Sequence, residues 1–401
     1  MVTCSKKKKL KKCRKSNSDE IPQHLVMEII RRLPAKSVAR FLLVSKSWAN
    51  LITNRDFIKS FETRSCSSQP RLLVCFVGRT KPCKPQYCYF FSSSSSSTTF
   101  LSRVKCPRED PECFPCLPHY ANGLMRLGYG EKKLICNPST GKSIALPKVK
   151  NIMSVSKSLF GYDPVNDEYK IFCMTKKSPD VNDHYKILLM TKNQPNGQES
   201  PLYKYQVFTV GAELSSWRVI ECSIPHSFSS CRHVCIDGFV YYAVRTGADL
   251  SQRSLMKFDL RYETLDLITS LPADMPSTPR GFSLINYEGK VAIPTNTSGN
   301  TFNVWVIDQA APKHGWLKKS FSIESWRRSP KLRIYGSTHT GEFVLAPRYY
   351  SDDFNVIIYN PDTNGLRKIK VEVNGDYEFK LGHYRTRAMV YSEYVESIRL
   401  L

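Results

Sequence analysis

The sequence is short of acid. Its 401 residues include 35 Asp and Glu against 59 Lys and Arg, a net charge of +24. Glycine is also scarce, at 19 residues, and no heptad is sustained, which excludes collagen-like and coiled-coil chains. No apolar run reaches the ~18–20 residues needed to cross a bilayer. The basic N-terminus has neither an apolar stretch nor a small-residue cleavage site, so it is not a secretory signal. A soluble intracellular chain without a membrane partner is therefore expected. A Gly-rich phosphate loop, a Gly-x-Ser-x-Gly elbow and a His-Glu-x-x-His pair are all missing. The eight His are scattered. No catalytic residue can be named, no cofactor is expected, and the chain reads as a non-enzyme. Hydrophobic residues make up 41%, enough for a real core, so wholesale disorder is excluded.

What is present begins with charge. Lys6, Lys7, Lys8, Lys9, Lys11, Lys12, Arg14 and Lys15 contribute +8 without an intervening acid. Residues 1–17 read as a solvated basic tail that could serve nuclear import or attract a polyanion. The 14 Cys should stay reduced inside a cell. Cys83, Cys88, Cys106, Cys113, Cys116 and His119 form the one zinc-like cluster, with Cys113-Phe-Pro-Cys116 at knuckle spacing. Its second pair is too loose, so loop and core thiols are preferred and no metal is assigned. Cys231, His233 and Cys235 would share a strand face but lack a fourth ligand.

Residues 18–65 differ from the rest. Leu25, Ile29 and Leu33 recur at helical spacing, Pro22 suits a first turn, and Pro34 ends the run. Val38, Phe41 and Leu42 mark a second short helix, and Trp48, Leu51 and Ile52 a third. Three short helices cannot enclose all this apolar surface, so part of it should meet a partner.

The pattern Ile21-Pro22-x-x-Leu25-x-x-x-Ile29-Ile30-x-x-Leu33-Pro34, followed by Val44-Ser45-Lys46-x-Trp48, resembles the F-box motif. Leu33-Pro34-Ala35-Lys36-Ser37-Val38-Ala39-Arg40-Phe41 is most similar to the plant form. Ile21 stands where Leu is usual and His24 where an acid is common. The resemblance implies docking on a Skp-type adaptor and through it a cullin. Carried over by position, Pro22, Leu25, Ile29, Ile30, Val38, Val44 and Trp48 would face the adaptor. Leu33, Phe41, Leu42 and Leu51 are expected to pack inside the trihelix.

After Ser65 helical spacing gives way to short Val/Ile/Tyr/Phe runs between turns. Runs ending at Asp259, Asp308 and Asn360 stand 49 and 52 apart, and Gln206–Val210 lies 49 earlier. Leu134–Asn137 is another such run. Each is followed by a further strand, and Asp237-Gly238, Glu288-Gly289 and Thr340-Gly341 precede others. Counting back places Tyr87–Phe91 in a sixth unit. Ala388–Tyr391 and Val395–Ile398 remain to pair with the first unit and close a ring. The interval from Asn137 to Val210 is 73, and residues 166–176 recur at 182–192 with eight of eleven positions identical. That reads as a duplicated strand and turn, tolerated at the surface. Asp163, Asp259 and Asp308 read as turn caps. The six-serine run from Ser92, with the prolines after it, reads as a mobile loop over 92–118.

A period near 50 with four short strands is propeller-like. The expected fold is α+β multidomain: a three-helix F-box, then an all-β, six-bladed propeller-like domain over 66–401. Gly161-Tyr162-Asp163-Pro164-Val165-Asn166-Asp167-Glu168-Tyr169-Lys170 and Ser216-Trp217-Arg218 also resemble the plant F-box-associated domain. The resemblance implies a substrate receptor of a ubiquitin ligase, nuclear or cytoplasmic, whose β domain holds a target protein. Two alternatives stand beside it: a basic nucleic-acid-associated protein, resting on the charge, and a diverged F-box protein with little activity.

Overall fold

The computed structural model describes residues 21–67, 71–78, 86–107, 118–129, 132–149, 154–176, 203–212, 216–229, 231–247, 250–273, 275, 282–296, 301–308, 315–323, 332–377, 379–380 and 386–399. Four helices come first: α1 (Gln23–Arg31), α2 (Ala35–Phe41), α3 (Lys46–Thr53) and α4 (Arg55–Ser67). Pro22 and Pro34 stand immediately before α1 and α2, where a missing N–H does no harm. Ser45 caps α3, its Oγ accepting from Trp48 N at 3.3 Å. Asn54 caps α4, its Oδ1 accepting from Asp56 N at 2.8 Å.

The fourth helix is a departure from the expected trihelix. Its Phe57 and Phe61, one turn apart, enter the core made by Ile30, Ala35, Val38 and Ile52. Leu33, Phe41, Leu42 and Leu51 pack partly buried against it, as their spacing led one to expect.

The remainder is a six-bladed β-propeller. Strands β1 (Leu72–Val77), β2 (Gln86–Ser93) and β3 (Thr98–Cys106) belong to the first blade, and β4 (His119–Ala121), β5 (Leu124–Tyr129), β6 (Lys132–Cys136) and β7 (Ser143–Ala145) form the second. The third holds β8 (Ser154–Asp163), β9 (Glu168–Lys176), β10 (Tyr203–Val210) and β11 (Arg218–Ile220). The fourth has five strands: β12 (Ser227–Phe228) and β13 (Val234–Ile236), both on β14 (Phe239–Thr246), then β15 (Gln252–Asp259) and β16 (Leu265–Ser270). The fifth comprises β17 (Ile285–Tyr287), β18 (Lys290–Asn296), β19 (Thr301–Asp308) and β20 (Gly315–Ser322). The sixth comprises β21 (Leu332–Ser337), β22 (Phe343–Pro347), β23 (Asn355–Asn360) and β24 (Gly365–Lys370). The last strand, β25 (Arg387–Tyr391), returns to pair antiparallel with β1 and completes the first blade. Closure comes from the Ala388–Tyr391 segment, as the repeat implied.

Every run used to find the period is the third strand of its blade: β2, β6, β10, β15, β19 and β23. The Asx residues that end several of them cap the following turn. Asp259 Oδ1 accepts from Arg261 N at 2.8 Å, and Asn360 Oδ1 from Asp362 N at 2.9 Å. Asp163 does the same for Val165 N at 2.9 Å. Strands inside a blade, such as β1, are apolar without alternation because both faces are covered, whereas outer strands such as β20 and β24 are largely exposed. On β1, Leu72, Val74 and Phe76 pack toward the sixth blade, while Leu73, Cys75 and Val77 pack toward the second.

Two expectations need correction. The stretch 92–118 is not one mobile loop: Ser92 and Ser93 end β2, Ser94–Ser97 form the turn, and β3 follows. Ser94 N donates to Ser97 O at 2.9 Å, and Ser94 Oγ and Ser96 Oγ are 3.3 Å apart, so serine supplies turn hydrogen bonds. Val395–Ile398 adds no strand. It runs on past β25 as a strap to the helices, and Ile398 enters their core. The first copy of the duplicated motif forms the β8–β9 turn and β9. The second copy, 182–192, lies outside the described residues.

Candidate functional site

The helices leave apolar residues exposed that their own core does not use. Ile21, Leu25, Ile29, Leu43 and Val44 are exposed, Leu43 at 91% and Val44 at 61%. Pro22 is exposed as well, and Trp48 is half-buried, stacked on Phe41 with ring centroids 4.9 Å apart. The residues carried over as adaptor-facing therefore divide. Pro22, Leu25, Ile29, Val44 and part of Trp48 reach the surface. Ile30 and Val38 are 1% and 0% exposed. Phe57 and Phe61 of the unforeseen α4 share the cluster that encloses them, so they hold the helices together from inside. Leu43 was not singled out, although Leu42-Leu43-Val44 is an apolar run longer than one helix face requires. The tail cations Lys6–Lys15 lie outside the described residues.

The helices are joined to the propeller by the C-terminal strap. Arg399 donates from Nε to Glu62 Oε1 at 2.7 Å and from Nη2 to Glu62 Oε2 at 2.8 Å. The same Nη2 reaches Asp167 Oδ1, on the β8–β9 turn, at 2.6 Å. Arg55, at the start of α4, donates from Nε to the other Asp167 oxygen at 3.1 Å. Tyr162 OH donates to Asp167 Oδ1 at 2.7 Å, and Ser397 Oγ to Glu62 Oε1 at 2.7 Å. Burial pushes the Asp167 carboxyl up, but Tyr162, Arg399 and Arg55 outweigh it and leave it below the usual range. Burial likewise opposes the charge on Arg399, and Glu62 foremost among its partners more than restores it.

Backbone contacts reinforce this. Asn137 Nδ2 donates to Ser397 O at 2.7 Å and Arg399 O at 2.9 Å. Ala35 N, opening α2, donates to Glu396 Oε1 at 2.8 Å. Gly123 comes so close to the strap that a β-carbon there would lie 2.6 Å from Ser397 Cβ. None of these partners was identifiable from the sequence, where they stand hundreds of residues apart.

Inside the propeller, a cavity of about 630 Å³ follows the inner strands β4, β8, β13, β17, β21 and β25. His119 and His233 stack within it, centroids 4.2 Å apart and rings 20° from parallel. His233 Nε2 lies 3.1 Å from Phe160 N and 3.2 Å from Phe160 O, which ties the ring to the backbone of β8. Burial drives both imidazoles well below their ordinary range, with His119 further lowered by His233 and Arg126, and His233 by Arg126 and Lys157.

Among the described residues, the cysteines do not assemble a site. Cys88 and Cys106 are buried in the first blade's core, and Cys83, Cys113 and Cys116 lie outside the described residues. Cys231 and Cys235 join different core clusters. Among the described residues, no group of three His, Cys, Asp or Glu could hold a metal ion. Among the same residues, no helix is long and apolar enough to cross a membrane.

Comparison with known proteins agrees with both halves of this architecture. Residues 19–60 match the F-box domain family. Residues 71–395 match the family described as F-box associated beta propeller domain. The F-box protein At4g11590 of Arabidopsis thaliana is 50% identical over 396 residues, covering 97% of this chain and 94% of its own length. The Arabidopsis F-box protein At1g47810 is 35% identical over 365 residues, covering 83% of this chain and 97% of its own. The Arabidopsis F-box protein DOR is 31% identical over 417 residues, covering 97% and 96%. Helical core, six blades and relatives along the whole length agree: the chain belongs to the F-box proteins with an F-box associated beta propeller domain.

Proposed function

We propose that this protein is a substrate-receptor subunit of an SCF-type cullin–RING ubiquitin ligase. Its helices dock on a Skp-type adaptor, and through it on a cullin, while the propeller holds a target protein. The chain transfers no ubiquitin; it supplies proximity, converting a bimolecular encounter into one within an assembly. Nucleus or cytoplasm is the compartment this role requires. The observation that carries the reading is the set of apolar residues that the helical core leaves unused. Leu25, Ile29, Leu43 and Val44 stay exposed although Phe57 and Phe61 complete the core behind them. An apolar surface of this kind on a small helical unit marks a protein interface.

The test is retention of a plant Skp-type adaptor by the full chain. Leu25→Asp and Val44→Asp alter exposed positions, so they should abolish retention while leaving the melting temperature unchanged. Trp48→Ala removes an aromatic anchor of a kind worth ~2–4 kcal/mol in interfaces. It also removes the stack on Phe41, so the two Asp variants decide. Failure of the folded, full chain to retain any adaptor would overturn the proposal.

A further inference from the structure

Four arginines gather where the inner strands begin, at the end of the channel away from the helices. Arg232 precedes β13, Arg333 lies at the start of β21, Arg348 follows β22 and Arg387 opens β25. Strand pairing brings them together. Arg333 faces Ala346 across the β21–β22 ladder, and Tyr349 bridges to Arg387. Ala388 N donates to Arg348 O at 2.9 Å. The Arg232 guanidinium lies over the Tyr391 ring of β25, 5.6 Å from its centroid. Tyr335 OH donates to Ala388 O at 2.9 Å, which fixes its ring between the sixth and first blades. All four arginines act on that phenol.

Among the described residues, none of the four is paired with a carboxylate. Burial lowers Arg333, and the groups that then act on it most are Arg348, Tyr335, Arg232 and Tyr349. For Arg387, after burial, they are Arg348, Arg333, Tyr335 and Tyr349. No carboxylate is among them. Arg348 Nε is buried and has no hydrogen-bond partner among the described residues. The carboxylates that line the channel, Asp237 and Glu393, lie at its other end, beside the turns that face the helices. Half-buried like charges repel and are incompletely solvated, so the cluster is a poor structural device and a good receptor for charge of the opposite sign. Guanidinium forks match the oxygens of a tetrahedral phosphate in paired hydrogen bonds. A dianion neutralises such a cluster better than a single carboxylate does.

We propose that Arg232, Arg333, Arg348 and Arg387 form a binding site for a phosphate-bearing anion at the propeller end opposite the helices. A phosphorylated side chain of the target is the source that fits a receptor. That source rests on the proposed function, whereas the anion site does not.

The full chain is titrated by calorimetry at low salt with inorganic pyrophosphate. It is also titrated with the pentapeptide Gly-Gly-phosphoserine-Gly-Gly and its unphosphorylated twin. Binding of a phosphate probe should weaken about tenfold for each guanidinium removed in Arg333→Gln/Arg387→Gln. Lys318→Gln/Lys319→Gln on the outer strand β20 should bind as the parent does. Without ligand, the double arginine variant should melt no lower than the parent, because like-charge repulsion is relieved. Arg348→Gln serves as the second variant if it does melt lower. A phosphopeptide bound more tightly than pyrophosphate supports a protein-borne phosphate. Pyrophosphate binding alone supports the site and removes the target as its source. No binding of either probe, or equal binding by the arginine variants, overturns the proposal. Adaptor retention, measured alongside, should be unaffected by these substitutions, so failure here and failure of the receptor reading are distinguishable.

Discussion

Arg399 grips Glu62 through two parallel hydrogen bonds of 2.7 and 2.8 Å, although 337 residues separate them in the chain. The Glu62 side chain is 7% exposed and that of Asp167, the second acceptor, 1%. The helices are thereby held to the third blade by a residue belonging to neither. Such an arrangement fixes the direction from helices to propeller, which matters to any protein whose role is to hold two others at a set distance.

Arg399→Met should be among the most damaging single changes. It leaves two buried carboxylates facing each other without their shared cation, a loss of roughly 3–5 kcal/mol where a buried pair is broken from one side. Glu62→Gln added to Arg399→Met should recover part of that loss, because the uncompensated charge is removed. Urea unfolding of the single and double variants measures both. Equal stability of the two would show that Glu62 is not the partner that matters.

Removal of residues 394–401 separates two functions of the C-terminus. β25 still pairs with β1, so the ring stays closed. Ile398 is withdrawn from the helical core and Tyr394 from the first-blade core. Limited proteolysis should then cut within 21–67 before it cuts the propeller. Equal resistance of both parts would refute the strap's role.

The ease of reading followed the range of the interactions. Third strands announced themselves because each combines a β-branched or aromatic run with local turn chemistry, as at Asp259 and Asn360. The closing strand followed from counting units. Helix α4 was missed because its apolar stripe is thin: Phe57 and Phe61 stand among Arg55, Asp56, Lys59, Glu62 and Arg64. The serine run misled because low complexity and hairpin-turn chemistry look alike in composition. By position in the motif Ile30 and Val38 would face the adaptor, and the structure buries both in a core that a further helix helps to cover, which a motif does not announce. The Glu62–Arg399–Asp167 junction had no local signal at all.

Gly161 on β8 allows two blades to approach. A β-carbon there would lie 2.6 Å from Val240 Cγ2, 2.8 Å from Leu260 Cδ1 and 3.0 Å from Cys235 Sγ, all contributed by the fourth blade. Gly161→Ala should lower stability by ~1–3 kcal/mol, as overpacking does. Val240→Ala should offset part of the loss in the double variant. Thermal melts of the three variants test this, and strictly additive losses would exclude the steric account.

Stability should fall on mild acidification because of three histidines. Burial is the leading cause that holds His119, His226 and His233 below their ordinary range; Arg126, Lys157 and Arg232 face the stacked pair and lower it further. In the unfolded chain these groups take up protons near pH ~6.5. The folded chain does not, so the unfolded state binds more protons and stability rises with pH across that window. The contribution is complete above about pH 6.5 and declines below it, by at most ~1.4 kcal/mol per pH unit for each histidine. The lowered Asp167 carboxyl acts in the same direction, but only below the ordinary carboxylate value of ~3.9. Melting temperature should therefore be level from pH 7.5 to 6.5 and drop toward pH 5. His233→Asn offers Phe160 N an acceptor that takes no proton, so it should flatten the slope. A variant as steep as the parent would place the titration elsewhere.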